Sequence, residues 1–176
     1  MAKAYVLTVN ESGKEDSIIS NLKNIPSVTI AFGTYGAYDL LTKLESSSEQ
    51  NIQYDISNGI RKIPNIRSTL TLLIDKKPRI SKTNEIEQKI LDAHMAQAFV
   101  IIHCLKSDES TIMENLEEIP EVVEADVLVG NYEIICKIAA PTYDDISEIT
   151  SKRIRKIYGI KSTVTINIIN NQGFSR

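Results

Sequence analysis

Two hydrophobic periods alternate along this chain. Tyr5-Val6-Leu7-Thr8-Val9 is apolar and β-branched, which predicts a strand. Ser12-Gly13-Lys14-Glu15 has the S-x-x-E spacing of a capping box, so a helix is predicted to follow. Ile18, Ile19, Leu22 and Ile25 then share one helical face, and Pro26 stops it. Val28 to Thr34 reads as a second strand, Tyr35-Gly36-Ala37 as a tight turn, and Tyr38 to Leu44 as a third strand. So short a connection makes the second and third strands an antiparallel hairpin. Ser46-Ser47-Ser48 offers caps for a second helix, whose inner face is Ile52, Ile56, Ile60 and Ile63. Pro64-Asn65 ends it, and Ile66 to Ile74 is a fourth strand. The order is β-α-β-β-α-β, the ferredoxin-like split βαβ arrangement.

The same pattern occurs a second time. Setting residue n beside residue n+94 aligns Ala2–Ile74 without a gap and gives 25 identities in 73 pairs, which marks a tandem duplication. Asn21-Leu22 meets Asn115-Leu116, Gly36-Ala37-Tyr38-Asp39 meets Gly130-Asn131-Tyr132-Glu133, and Ser68-Thr69-Leu70-Thr71 meets Ser162-Thr163-Val164-Thr165. Strands are predicted near Phe99–Leu105, Val122–Val129, Tyr132–Ala139 and Ile160–Ile168, and helices near Glu109–Ile119 and Tyr143–Ile157. The expected organisation is a first repeat at 1–75, a linker at 76–97 and a second repeat at 98–176. Phe99-Val100-Ile101-Ile102 and Ile134-Ile135-Cys136 are apolar on both faces, so both faces of their sheet are predicted to be covered. The helices cover one. The fold class expected is therefore α+β, with the two repeats packed sheet to sheet as an α/β barrel within one chain. The linker carries a helical patch with Ile86, Ile90, Leu91 and Met95 on one side, either docked or awaiting a partner.

Composition narrows the function classes. The chain has 176 residues, 42% of them hydrophobic, and a formal net charge of −3. An acidic balance argues against autonomous DNA binding. The start of the chain enters a strand pattern at once, with no charged region leading into an apolar one, which predicts a cytoplasmic protein. Cys104 and Cys136 lie inside apolar runs and read as buried reduced thiols, and two cysteines without a matching cluster make no metal site. No nucleophile elbow, P-loop, zinc-protease or dinucleotide motif occurs.

The two copies resemble the effector-binding (RAM) domain of the Lrp/AsnC family. The resemblance rests on Gly36-Ala37-Tyr38-Asp39 and Gly130-Asn131-Tyr132-Glu133 opening the third strands, and on Asn65-Ile66-Arg67-Ser68-Thr69-Leu70-Thr71 and Gly159-Ile160-Lys161-Ser162-Thr163-Val164-Thr165 opening the last. It covers about 145 of the 176 residues. It implies two domains paired as a dimeric α/β barrel, with an amino acid or similar small effector bound near both motifs. The family's helix-turn-helix is not expected here, so direct nucleic-acid binding is not carried over, while self-association or contact with a transcription regulator is. Two positions depart from the motifs, Glu133 for Asp and Asn65 for Gly.

Candidate ligand-binding residues are therefore Gly36, Tyr38, Asp39, Thr69 and Thr71, and Gly130, Tyr132, Glu133, Thr163 and Thr165. Gly admits close backbone approach, the acid suits an α-ammonium group, and the threonine hydroxyls suit a carboxylate. The bland alternative is that Gly and Asp build a hairpin turn and that Thr is a good strand former. Lys152-Arg153-Ile154-Arg155-Lys156 reads as a solvated helix end, with anion binding as the sharper option. The expectation is a small-molecule sensing and oligomerisation module with no catalytic residue, metal or cofactor. The competing classes are a small enzyme of the same barrel type, which would bury titratable groups such as His103, Glu124, Asp126, Lys43 and Lys137, and a ligand-free assembly module.

Overall fold

A computed structural model describes residues 1–176. It divides into two compact units, Met1–Ile74 with Ile169–Arg176, and Asp75–Ile168. Each is α+β. No helix is long and apolar enough to cross a membrane.

The first unit runs β1 (Ala2–Asn10), α1 (Glu15–Leu22), β2 (Val28–Gly36), β3 (Leu40–Ser46), α2 (Glu49–Asn58) and β4 (Ile66–Ile74). The strands form an antiparallel sheet in the order β4-β1-β3-β2. Its helix side is closed by the predicted faces. Ile18, Ile19, Leu22 and Ile25 from α1 and its exit, and Ile52, Ile56, Ile60 and Ile63 from α2 and its exit, bury against Ala4, Val6, Leu40 and Leu44. Ser48 caps α2, its hydroxyl accepting the Asn51 N–H. The capping box predicted at Ser12 does not form. Gly13 takes φ 80° in a turn closed by the Lys14 N–H on the Glu11 carbonyl, and α1 starts behind Lys14 with no side-chain cap.

The second unit adds a short edge strand and a helix before its own repeat. These are β5 (Ile80–Ser81) and α3 (Glu85–His94), followed by β6 (Ala96–Cys104), α4 (Glu109–Glu117), β7 (Val122–Val129), β8 (Ile134–Ala140), α5 (Tyr143–Ile149) and β9 (Ile160–Ser175). The sheet order is β9-β6-β8-β7-β5. Ile112, Leu116, Ile146, Ile149 and Ile154 cover its helix side against Val100, Ile102, Ile134 and Ile138. The helix predicted to reach Ile157 instead widens after Ile149 into a π-helical turn, Thr150–Ile154, closed by the Arg155 N–H on the Thr150 carbonyl.

Two features differ from the sequence reading. α3 buries no residue and is held by its polar side, where Gln88 and Asp92 hydrogen bond with the Gln97 side chain at 3.1 and 2.8 Å. Ile86 and Ile90, on the side read as either docked or awaiting a partner, are 72% and 54% exposed, so that side is not docked in the chain. The last strand also runs past the predicted Ile168, and residues 169–176 belong to the first unit beside β2. There the Arg176 N–H donates to the Thr29 carbonyl at 2.9 Å, and Phe174 packs on the α1 and α2 core. The Arg176 guanidinium donates to the carbonyls of Lys23, Ile25 and Val28 at 2.8, 2.7 and 2.8 Å, spanning the turn from the C-cap of α1 to the start of β2.

Candidate ligand site

The motif turns have one geometry in both units. Gly36 and Gly130 adopt φ 124° and 125°, values that favour glycine. Both turns are exposed, as are Tyr35 and Val129 beside them, while Tyr38 and Tyr132 are half-buried. The Thr34 N–H donates to the Asp39 carbonyl at 2.8 Å, and the Leu128 N–H donates to the Glu133 carbonyl at the same distance.

The motif acids turn inward. In the first unit β1 and β4 lose register between Val9 and Asn10, because Val9 pairs with Ser68 and Asn10 with Ile66. At this bulge the Asn10 N–H donates to the Asp39 carboxylate at 2.8 Å. The second unit repeats the bulge at His103 and Cys104, where the Cys104 N–H donates to Glu133 at 3.1 Å. The same Glu133 oxygen lies 3.0 Å from His103 Nδ1. Each acid thus satisfies a backbone donor that the ladder leaves over.

The threonine pairs face the helix layer. Thr69 stands opposite Thr8, and Thr71 opposite Val6, a core residue. Thr163 and Thr165 stand opposite Ile102 and Val100. In the first unit this side of the sheet therefore carries Thr8, Asn10, Thr42, Thr69 and Thr71 in adjoining rows. Asp39 joins them through Asn10. The second unit has Ile102, Cys104 and Cys136 where the first has Thr8, Asn10 and Thr42. The sequence reading passed over these three polar positions, although a polar residue in one copy facing an apolar one in the other was the signal for them.

The opposite, helix-free side holds charge. Lys43 is buried with its ammonium 5.7 Å from the Tyr5 ring and 3.4 Å from Glu45, and Lys137 is buried 5.7 Å from the Phe99 ring. In the second unit Arg79 makes two hydrogen bonds to the buried Asp126 carboxylate, at 2.8 and 3.3 Å, and reaches Glu124, the cross-strand neighbour of Lys137.

Matching clefts of about 300 and 450 Å³ lie beside α2 and α5. Arg153, from the basic run, pairs with Glu121 at the second cleft at 2.8 Å, and Lys152 pairs with Glu148 at 3.1 Å. The cysteines are buried free thiols. Burial, assisted by Glu133, Glu109 and Asp108 against Lys161, pushes Cys104 up to about 11. Burial pushes Cys136 up to about 12, opposed by a backbone hydrogen bond from Val100.

Comparison with known proteins bears on this geometry. Residues 97–172 match the model of the Lrp/AsnC ligand binding domain. FFRP-DM1, a solved structure, is 35% identical over 43% of this chain and all of its own, with a TM-score of 0.41. The chain belongs to the Lrp/AsnC ligand-binding-domain family. The hypothetical protein PHS023 from Pyrococcus horikoshii is 34% identical over 44% of this chain and 93% of its own, with a TM-score of 0.41. The siroheme decarboxylase NirDL covers 99% of this chain and 72% of its own at a TM-score of 0.72, with 10% identity, a likeness of fold alone. No curated protein matches the sequence. Within this Lrp/AsnC chain the first repeat is tied to the matched segment by the 94-residue register, and its motif turn and acid repeat the second unit's geometry.

Proposed function

We propose that the chain is a small-effector sensing and assembly module of the Lrp/AsnC type, taking an amino acid or a similar metabolite. The observation that carries this reading is the motif turn, present twice with one backbone geometry and exposed both times, in a chain of a ligand-binding family. Signalling then runs through self-association or contact with a transcription regulator. A ligand that binds only the folded protein raises its melting temperature by mass action. Melting the purified protein with each of the twenty amino acids at millimolar concentration tests the reading. A shift confined to one chemical group is expected, and no shift with any of them overturns it.

A second reading, an enzyme, is favoured by one observation, the charged set on the helix-free side of the second unit, where the buried Asp126 and Lys137 lie beside the half-buried Glu124 and the exposed Arg79. NirDL, similar in fold over the whole chain, is named a siroheme decarboxylase and has been solved with an iron-uroporphyrin III analogue. The ion pairs within the set favour a structural role, since Arg79 is consumed by two acids. Titration with an iron porphyrin, read by its visible absorption, separates the readings, because a sensor of amino acids leaves that spectrum unchanged.

A further inference from the structure

The two units diverge most in chemistry under their helices. In the first unit five side-chain atoms, Thr8 Oγ1, Asn10 Nδ2, Asn10 Oδ1, Thr42 Oγ1 and Thr71 Oγ1, are shielded from solvent and have no hydrogen-bond partner in the protein. Thr8 and Thr42 are fully buried and Asn10 is 6% exposed. They sit together, since Val6 pairs with Thr42 on one side and Thr71 on the other, and Thr8 and Asn10 follow along the same strand. Leaving a buried polar group unpaired costs about 1–3 kcal/mol, and native proteins carry few such groups. The second unit shows that the fold does not need them, because Ile102, Cys104 and Cys136 fill the equivalent positions within its apolar core. Polar residues kept at a stability cost, where apolar ones fit the same frame, point to a bound group.

We propose that the first unit holds the effector on this helix-side patch of Thr8, Asn10, Thr42 and Thr71, and that the second unit is a closed structural copy. The proposal rests on the small-effector reading above. The lining is three hydroxyls and one carboxamide, with no free charge. Burying a net charge there would lack a counter-charge, whereas a neutral group that both donates and accepts meets every atom. The group taken is therefore a small uncharged hydroxyl or carboxamide. Asp39, by fixing the Asn10 backbone, positions the carboxamide without touching the ligand.

The test transplants the second unit's own residues. The double variant Thr8→Ile with Thr42→Cys removes two of the hydroxyls, and Thr71→Val alone serves if the double variant does not fold. L-Serine, L-threonine, L-asparagine and L-glutamine are the probes, with L-aspartate and L-lysine as charged controls, read by melting temperature and calorimetry. The expected result is a shift in the wild type with a neutral probe. It should be lost, or weakened at least about tenfold in affinity, in the double variant, and retained in Thr165→Val, the second unit's counterpart. A shift that survives in the double variant overturns the location and leaves the small-effector reading standing. A shift with the charged controls alone overturns the ligand class. No shift with any amino acid overturns this inference and the reading beneath it.

Discussion

The Asp39 carboxylate accepts the Asn10 backbone N–H at 2.8 Å, and Glu133 accepts the Cys104 N–H at 3.1 Å at the equivalent place in the second unit. The family motif thus has a mechanical role besides any ligand it meets. A bulge frees one donor at the end of the first strand, and the acid that opens the third strand takes it. Asp39→Ala leaves that donor without its acceptor and is expected to cost about 1–3 kcal/mol, read as a lower urea midpoint at unchanged slope. Asp39→Glu should lose less, because a glutamate does this work at position 133.

The exposed Arg79 pairs with the buried Asp126 carboxylate, and removing it leaves that acid without its partner. Arg79→Ala is expected to destabilise by about 1–3 kcal/mol. Adding Asp126→Asn to it should recover part of the loss, since the stranded charge is gone. Urea denaturation of the two single variants and the double gives the coupling directly.

Arg176 clasps the turn between α1 and β2 with three hydrogen bonds to carbonyls. Arg176→Ala should cost about 1–3 kcal/mol, and Arg176→Lys should not restore it, because a compact ammonium cannot span three acceptors as a planar fork does. Faster proteolytic loss of the C-terminal segment in the variant would show the release.

Cys104 and Cys136 carry pKa values raised to about 11 and about 12 from an ordinary value of 9.0. The folded protein therefore keeps these protons while the unfolded chain gives them up. Stability from this source is complete below pH 9 and falls as pH rises from there through the folded values. Cys136→Ala should flatten the decline, and neither thiol should react with Ellman's reagent at pH 8 unless the protein is unfolded.

The frame of both units was legible because it rests on local rules. Ile52, Ile56 and Ile60 mark a helix face by spacing alone, and Ser48 caps as its position suggests. Pairings across the sheet were less visible. Ser12 has the right spacing to cap α1, yet Gly13 turns the chain first. The threonines at 69 and 71 were known to share a face, but only the register with Thr8 and Val6 shows that the face lies under the helices. That Asp39 also holds the Asn10 N–H was not legible, because sequence cannot reveal a bulge 29 residues away. The polar run Asn170-Asn171-Gln172-Gly173 hid the strand that continues to Ser175, whose partner is set by long-range pairing rather than by its own composition.

That continuation sets an order on synthesis. The first unit lacks residues 169–176 until the whole span 75–168 has left the ribosome. At about 5–20 residues per second the delay is on the order of 5–20 s. During that time β2 is a bare edge on a nascent chain, open to pairing with a neighbour. The second unit has all its parts before the first, so a fold that reads from left to right along the gene is completed from right to left, and the final eight residues are the latch that ends the exposure.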